Sequence, residues 1–349
     1  MQLNTHIIIL LVSVVSHCLA FPSIWPRADI PLPDGMPNPS EEQLKKIQLR
    51  AHGTLPNTPL PSKISKEGIT NLQLIAFNEL FEVAFYNELL LNITKKPYSL
   101  YVTFILAHPM PSSKKPLQQE ELHALTANQG LEHFKIEPIQ PCRYHFPVSD
   151  FDAAIALAAT FTDLVIATLQ DVIVRFADNS DVGLTRVIAA TIGNEGEQQG
   201  WFRVNQGRIP SELPTLTTGD LDFAFTAVQA FTIPGSCPNL DDIALTTFKP
   251  LDILTPPEPK TQLILVSWES EYEVKGDKLW LTYVNQLNIP IVEELKIVSY
   301  KAGKKVVAKA LFPYHENLMN GLTIAAVTKS AGPFAGVMML LRRRSLGLV

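Results

Sequence analysis

The chain has 349 residues, 46% of them hydrophobic and 18% charged, and a net charge of −5 at pH 7. That much apolar surface excludes a disordered polyampholyte, and the mildly acidic balance excludes the basic stripe expected of a nucleic-acid binder. One hydrophobic core stops growing at about 250–300 residues, so two units, or one with long appendages, are expected.

Residues 1–20 hold no Lys, Arg, Asp or Glu. The run Ile7-Ile8-Ile9-Leu10-Leu11-Val12, extended through Val15 and ending in Cys18-Leu19-Ala20, predicts a signal peptide cut after Ala20 and hence a secreted protein, extracellular or in the cell wall. The run is shorter than the roughly 20 residues a membrane span needs, so no span is expected in the mature chain. The cut removes Cys18 and leaves Cys142 and Cys237, both in proline-flanked loops. In an oxidising compartment they are expected to pair, the alternative being two buried free thiols. Asn92-Ile93-Thr94 is the usable glycosylation sequon, because Asn38 is followed by Pro39.

Residues 21–65 are rich in proline and show little apolar periodicity, which predicts an extended arm or a pro-segment. From Gly68 the apolar residues recur at helical spacing. Five helices are expected, over Ile69–Asn92, Lys115–Phe134, Asp150–Asp178, Leu184–Asn205 and Asp220–Phe231, with Ser149 or Asp150 capping the third. They predict a buried helical bundle over residues 66–250. Gly193, Gly196 and Gly200 weaken the fourth helix, and close helix approach is the expected compensation.

Thr255-Pro256-Pro257-Glu258-Pro259 reads as a linker. Beyond it, Gln262–Trp268, Lys278–Val284, Glu293–Tyr300, Lys304–Phe312 and Gly321–Lys329 read as strands, with Lys301–Lys304 as a hairpin turn. A small antiparallel β-sandwich over residues 257–349 follows, making the whole an α+β, multidomain chain. Residues 251–349 hold 12 basic and 9 acidic residues, so this part is positive and the rest negative. The end, from Ala331 through Arg342-Arg343-Arg344, departs from the strand pattern and reads as an atypical terminus.

The chemistry lies on the helices. At 100° per residue, Glu79, Glu82 and Tyr86 share a face with Leu72, Ile75, Val83 and Leu90. Glu120 and His123 share one with Leu117, Ala124, Ala127 and Leu131; Glu195 and Gln198 line up with Ile188, Thr191 and Phe202. A lone ionised carboxylate in a dry interior costs too much unless it is paired or bound to metal. Glu-x-x-His sets an oxygen and a nitrogen ligand one turn apart, the arrangement used with further glutamates for metal sites in bundle cores. Glu132, His133 and His145 read as loop or helix-end residues.

Phe77-Asn78-Glu79-Leu80-Phe81-Glu82-Val83-Ala84-Phe85-Tyr86, Glu120-Glu121-Leu122-His123, Phe151-Asp152 through Leu169-Gln170-Asp171, Glu195-Gly196-Glu197-Gln198 with Gly200-Trp201-Phe202-Arg203, and Pro234-Gly235-Ser236-Cys237-Pro238 together resemble the ferritin-like superfamily. Closer still is the resemblance to the fungal secreted late sexual development proteins. It implies a ferritin-like four-helix bundle with a short fifth helix, and a role in sexual development. It also implies a metal site at Glu79, Glu120, His123 and Glu195. A full di-iron set resembling ferritin would add a third-helix glutamate, where Thr162 stands beside Asp163, and a last histidine, where Gln198 stands. The expected cofactor is therefore none, or one weakly bound iron or manganese ion. Two readings remain: a non-enzymatic structural or developmental factor with a degenerate polar core, and a metal-binding protein or metal-dependent oxidase. A cell-wall or protein partner would meet the β unit.

Overall fold

The computed structural model describes residues 31–94, 115–270, 274, 278–300, 305–332 and 345–348. The expected signal peptide and the Lys301–Lys304 turn lie outside the described residues. Within them the fold is α+β, with seven α-helices and two small antiparallel sheets.

The proline-rich stretch does more than extend. Residues Glu41–Ala51 form α1, which the sequence reading missed. Ser40 and Gln43 close a capping box, the Ser40 amide donating to Gln43 Oε1 at 2.9 Å and the Gln43 amide to Ser40 Oγ at 3.4 Å. Ile47 and Ala51 are buried, as are Leu32 and Met36 ahead of the helix. Four residues therefore pack this segment onto the helical core.

Four long helices follow: α2 (Lys66–Thr94), α3 (Lys115–His133), α4 (Phe151–Asp178) and α5 (Thr185–Asn205), then a short α6 (Leu221–Gln229). Ser65 caps α2 by accepting from the Gly68 amide at 2.8 Å, and its own amide and hydroxyl donate to the Asp181 carboxylate that precedes α5. A Cβ at Gly68 would collide with that carboxylate, which is why glycine stands there. Asp150 and Asp220 cap α4 and α6. By composition α4 is long and apolar enough to cross a membrane, yet 78% of its most apolar stretch is buried inside the protein. The two sides of α2 differ in kind. Phe77, Phe81 and Phe85 face one way, and Phe81 meets Tyr144, Phe146, Phe161 and Phe231 with ring centroids 5.2–5.6 Å apart. Glu79, Glu82 and Tyr86 face the other. Gly193 and Gly196 have nothing near them, so the expected close helix approach is not found there, and nothing in the structure explains these two glycines.

Cys142 and Cys237 lie at disulfide distance, S–S 2.09 Å, across 95 residues of sequence. Alongside, the His145 amide donates to Phe231 O and the Ile233 amide to Arg143 O, each at 2.8 Å. The segment after α3 is thereby stitched to the one after α6.

The strands are β1 (Leu251–Ile253), β2 (Gln262–Glu269), β3 (Trp280–Asn285), β4 (Ile291–Glu294), β5 (Lys296–Tyr300), β6 (Lys305–Phe312), β7 (Thr323–Thr328) and β8 (Ser345–Leu348), with a short α7 (Tyr314–Asn317) after β6. One sheet runs β1-β2-β6-β5 and the other β4-β3-β7-β8. Two expectations change. Residues Glu293–Tyr300, read as one strand, break at Leu295, with β4 in one sheet and β5 in the other. Thr255–Pro259, read as a linker, is the loop of the β1–β2 hairpin, because Leu251 pairs with Trp268 and Ile253 with Val266. Proline lacks an amide and is tolerated in such a loop.

The sheets share a core built on Ile264, Val266, Trp268, Leu281, Tyr283, Val306 and Phe312. The opposite face of β3 and β7 packs on the helices through Val284, Ile324 and Ala326. Both faces of β7 are covered, so it reads as a continuous run and not as an alternation. Thr217, ahead of α6, bridges the two parts: its hydroxyl donates to Leu322 O at 2.6 Å and accepts from the Gln286 amide at 2.8 Å.

Candidate metal centre

Glu79 on α2, Glu120 and His123 on α3 and Glu195 on α5 meet inside the helical part. One ligand atom from each lies within 4.8 Å of the others. The helix periods that put carboxylates on apolar stripes thus carry three stripes to one point, and all three glutamates are 0% exposed. The His123 side chain, 14% exposed, is the least enclosed member.

The convergence is on His123 Nδ1. Glu120 Oε2 lies 2.9 Å from it, Glu195 Oε1 3.2 Å and Glu79 Oε2 3.4 Å. One ring nitrogen can donate one proton, so it cannot satisfy three carboxylates. Gln198 Nε2 donates to Glu120 Oε1. Both carboxylate oxygens of Glu79, Glu82 and Glu195 are buried and accept no hydrogen bond from the protein. Gln198 Oε1 is buried and unpaired as well, and the buried Tyr86 and Thr162 hydroxyls face only each other.

Electrostatics follow from that crowding. Burial pushes Glu79 up to about 7, with the Glu120 charge adding and His123 opposing. Burial and then the Glu195, Glu120 and Glu79 charges hold Glu82 well above the ordinary carboxylate range. Glu195 is raised by burial and by Glu120 and Glu79. Burial disfavours a charged His123, but Glu120 and Glu79 outweigh it and hold the imidazole well above its usual value. The cluster keeps protons, or it takes a cation in their place. Three carboxylates with one imidazole suit a hard or borderline divalent ion such as manganese or iron, and the orphaned oxygens fit that role.

Sequence reasoning placed Glu82 on this face but left it out of the ligand set; the structure sets its charge against Glu79, Glu120 and Glu195. Its i,i+3 spacing from Glu79 was the available signal. Asp163 is turned away, toward Glu212, Gln199 and Arg203, and Arg203 Nη1 sits 3.6 Å from Glu212 Oε1. Glu121 is buried too, pushed up to about 9 by burial and by Asp34; no helical pattern announces it, because its partner comes from the segment before α1. His133 Nε2 lies 3.0 Å from Pro61 O and ties down the chain ahead of α2.

Asn92, the asparagine of the expected sequon, lies in the last turn of α2 and is 2% exposed.

No protein-family model matches the chain, and no curated protein matches it.

Proposed function

We propose that the protein is a secreted metal-binding protein with a ferritin-like four-helix bundle, of the late sexual development type. It would hold one divalent ion, manganese or iron, between Glu79, Glu120, His123 and Glu195. The observation that carries this reading is the approach of three buried carboxylates to one imidazole nitrogen with most of their oxygens unpaired. A bound ion would balance the carboxylate charge that a single proton on His123 cannot. The residues themselves orient the donors: Gln198 fixes Glu120, and the His123 ring presents Nδ1. Thr162 and Gln198 stand where a two-ion oxidase would need a carboxylate and an imidazole, which favours a structural over a redox role. The disulfide-distance cysteine pair supports secretion.

A second reading, a non-enzymatic developmental factor whose core is a protonated polar network, draws on the Gln198–Glu120 hydrogen bond, which occupies one carboxylate oxygen without metal. Elemental analysis of the secreted protein separates the two. About one manganese or iron per chain is expected, and His123→Ala should remove most of it. Metal-free protein, or equal metal in variant and parent, would leave the second reading standing.

A further inference from the structure

A second cavity, about 480 Å³ and open to solvent, lies between α1, α2 and α3. Its apolar lining includes Leu91 of α2 and Leu117 of α3, and its polar lining is divided by charge. Asp34, ahead of α1, and Gln118 on α3 bring acceptors. Asp34 Oδ1 and Gln118 Oε1 are buried and receive no hydrogen bond, and Gln118 is 2% exposed. Lys46 and Arg50 on α1 bring cations. Lys46 is held by Glu42 at 2.6 Å, whereas Arg50 is exposed and meets no carboxylate at ion-pair distance among the described residues. At 100° per residue Gln118 lies about 200° round α3 from Glu120, so this space is separate from the metal centre.

Asp34 and Arg50 thus line one cavity without meeting each other. A buried acceptor left without a donor is costly, and so a bound donor is favoured at the Asp34 end. A lone cation there would be repelled by Arg50 and Lys46, and a lone anion at Arg50 would be repelled by Asp34. A molecule that carries both charges avoids both penalties, and the leucines can cover its apolar part. We propose that this cavity binds a small zwitterion of the dipeptide class with an apolar side chain, its ammonium at Asp34 and Gln118 and its carboxylate at Arg50. The ammonium donates to the two orphaned oxygens, and the planar guanidinium suits a carboxylate through two parallel hydrogen bonds. The volume falls within the range of small-molecule sites, about 300–1,000 Å³. The proposal does not rest on the metal reading, since neither the lining nor the ligand requires an ion.

Alanyl-leucine is the probe, titrated into the full chain and followed by methyl NMR and calorimetry. Binding should saturate, and the methyl signals of Leu91 and Leu117 should move while those of Ile264 and Val306 in the sheet core stay in place. N-acetyl-alanyl-leucine, which lacks the ammonium, and alanyl-leucine amide, which lacks the carboxylate, should each bind about tenfold more weakly or worse, as expected for a lost hydrogen bond to a charged group. Arg50→Gln and Asp34→Asn should weaken alanyl-leucine to the same degree, with circular dichroism unchanged from the parent. A shift that never saturates, blocked peptides that bind as tightly as the free one, or variants that bind like the parent would overturn the proposal. If either variant fails to fold, the comparison of free and blocked peptides on the parent decides the matter.

Discussion

His123 offers a single proton to three carboxylates, and this shortage sets how the protein answers to pH. The Glu79 pKa rises from 4.5 to about 7 on folding, and burial with neighbouring charge raises Glu82 and Glu195 in the same direction. A raised folded pKa means that the folded state binds protons more tightly than the unfolded one. For Glu79 that stabilisation is complete below 4.5 and lost as pH rises through about 7. His123, raised as well, has the same sign. Metal-free protein should accordingly melt at a higher temperature at pH 5.5 than at pH 8. Adding manganese should shrink or reverse that difference, because ligands must lose their protons to bind it. A metal-free melting temperature that is flat or rises toward pH 8 would contradict this account. The stripe of Glu79, Glu120 and Glu195 was legible because helical period alone fixes a face. Glu121 was not, since its burial depends on a segment whose packing no local pattern encodes.

Among the elements, the long helices were readable to within a few residues because their apolar repeats are long and one cap, Asp150, is explicit. Helix α1 escaped notice even though Ser40-Glu41-Glu42-Gln43 spells a capping box, because prolines surround it and only Ile47 and Ala51 of its residues are buried. Ser40→Ala removes the hydroxyl that accepts from Gln43. It should cost about 1 kcal/mol, measured by urea unfolding, with the loss of helix confined to this segment in amide exchange. The break between β4 and β5 was hidden for a different reason. Leu295 sits between them, donating its amide to Leu279 O at 2.9 Å, and a single residue that moves the chain from one sheet to the other leaves no gap in a β-type run.

For the whole molecule, the change from helices to strands was visible in composition, while the way the two parts join was not. Thr217 and the outer face of β3 and β7 carry that junction, and a docked face looks in sequence like any other buried strand. The cysteine pair acts at this scale too, because it closes 95 residues that include α4, α5 and α6. Replacing both cysteines by serine should lower stability by roughly 4 kcal/mol in the chain-entropy model. Denaturant unfolding would measure it, and a loss below about 1 kcal/mol would show that the loop is already ordered in the unfolded chain.

The proline loop at 255–259 has a consequence for how the polypeptide can be rearranged. It joins two strands that are already paired, and beyond the strand ends the Leu254 amide still donates to Leu265 O at 2.8 Å. A break in this loop would therefore not release two independent modules. The N-terminal piece would keep β1 as its handle on the sheet, and the C-terminal piece would keep β3 and β7 pressed on the helices. The fragments would be complementary halves of one fold. The stretch that looks most like a hinge is thus the place where the chain could be split, or could accept an inserted sequence, with the assembled molecule intact.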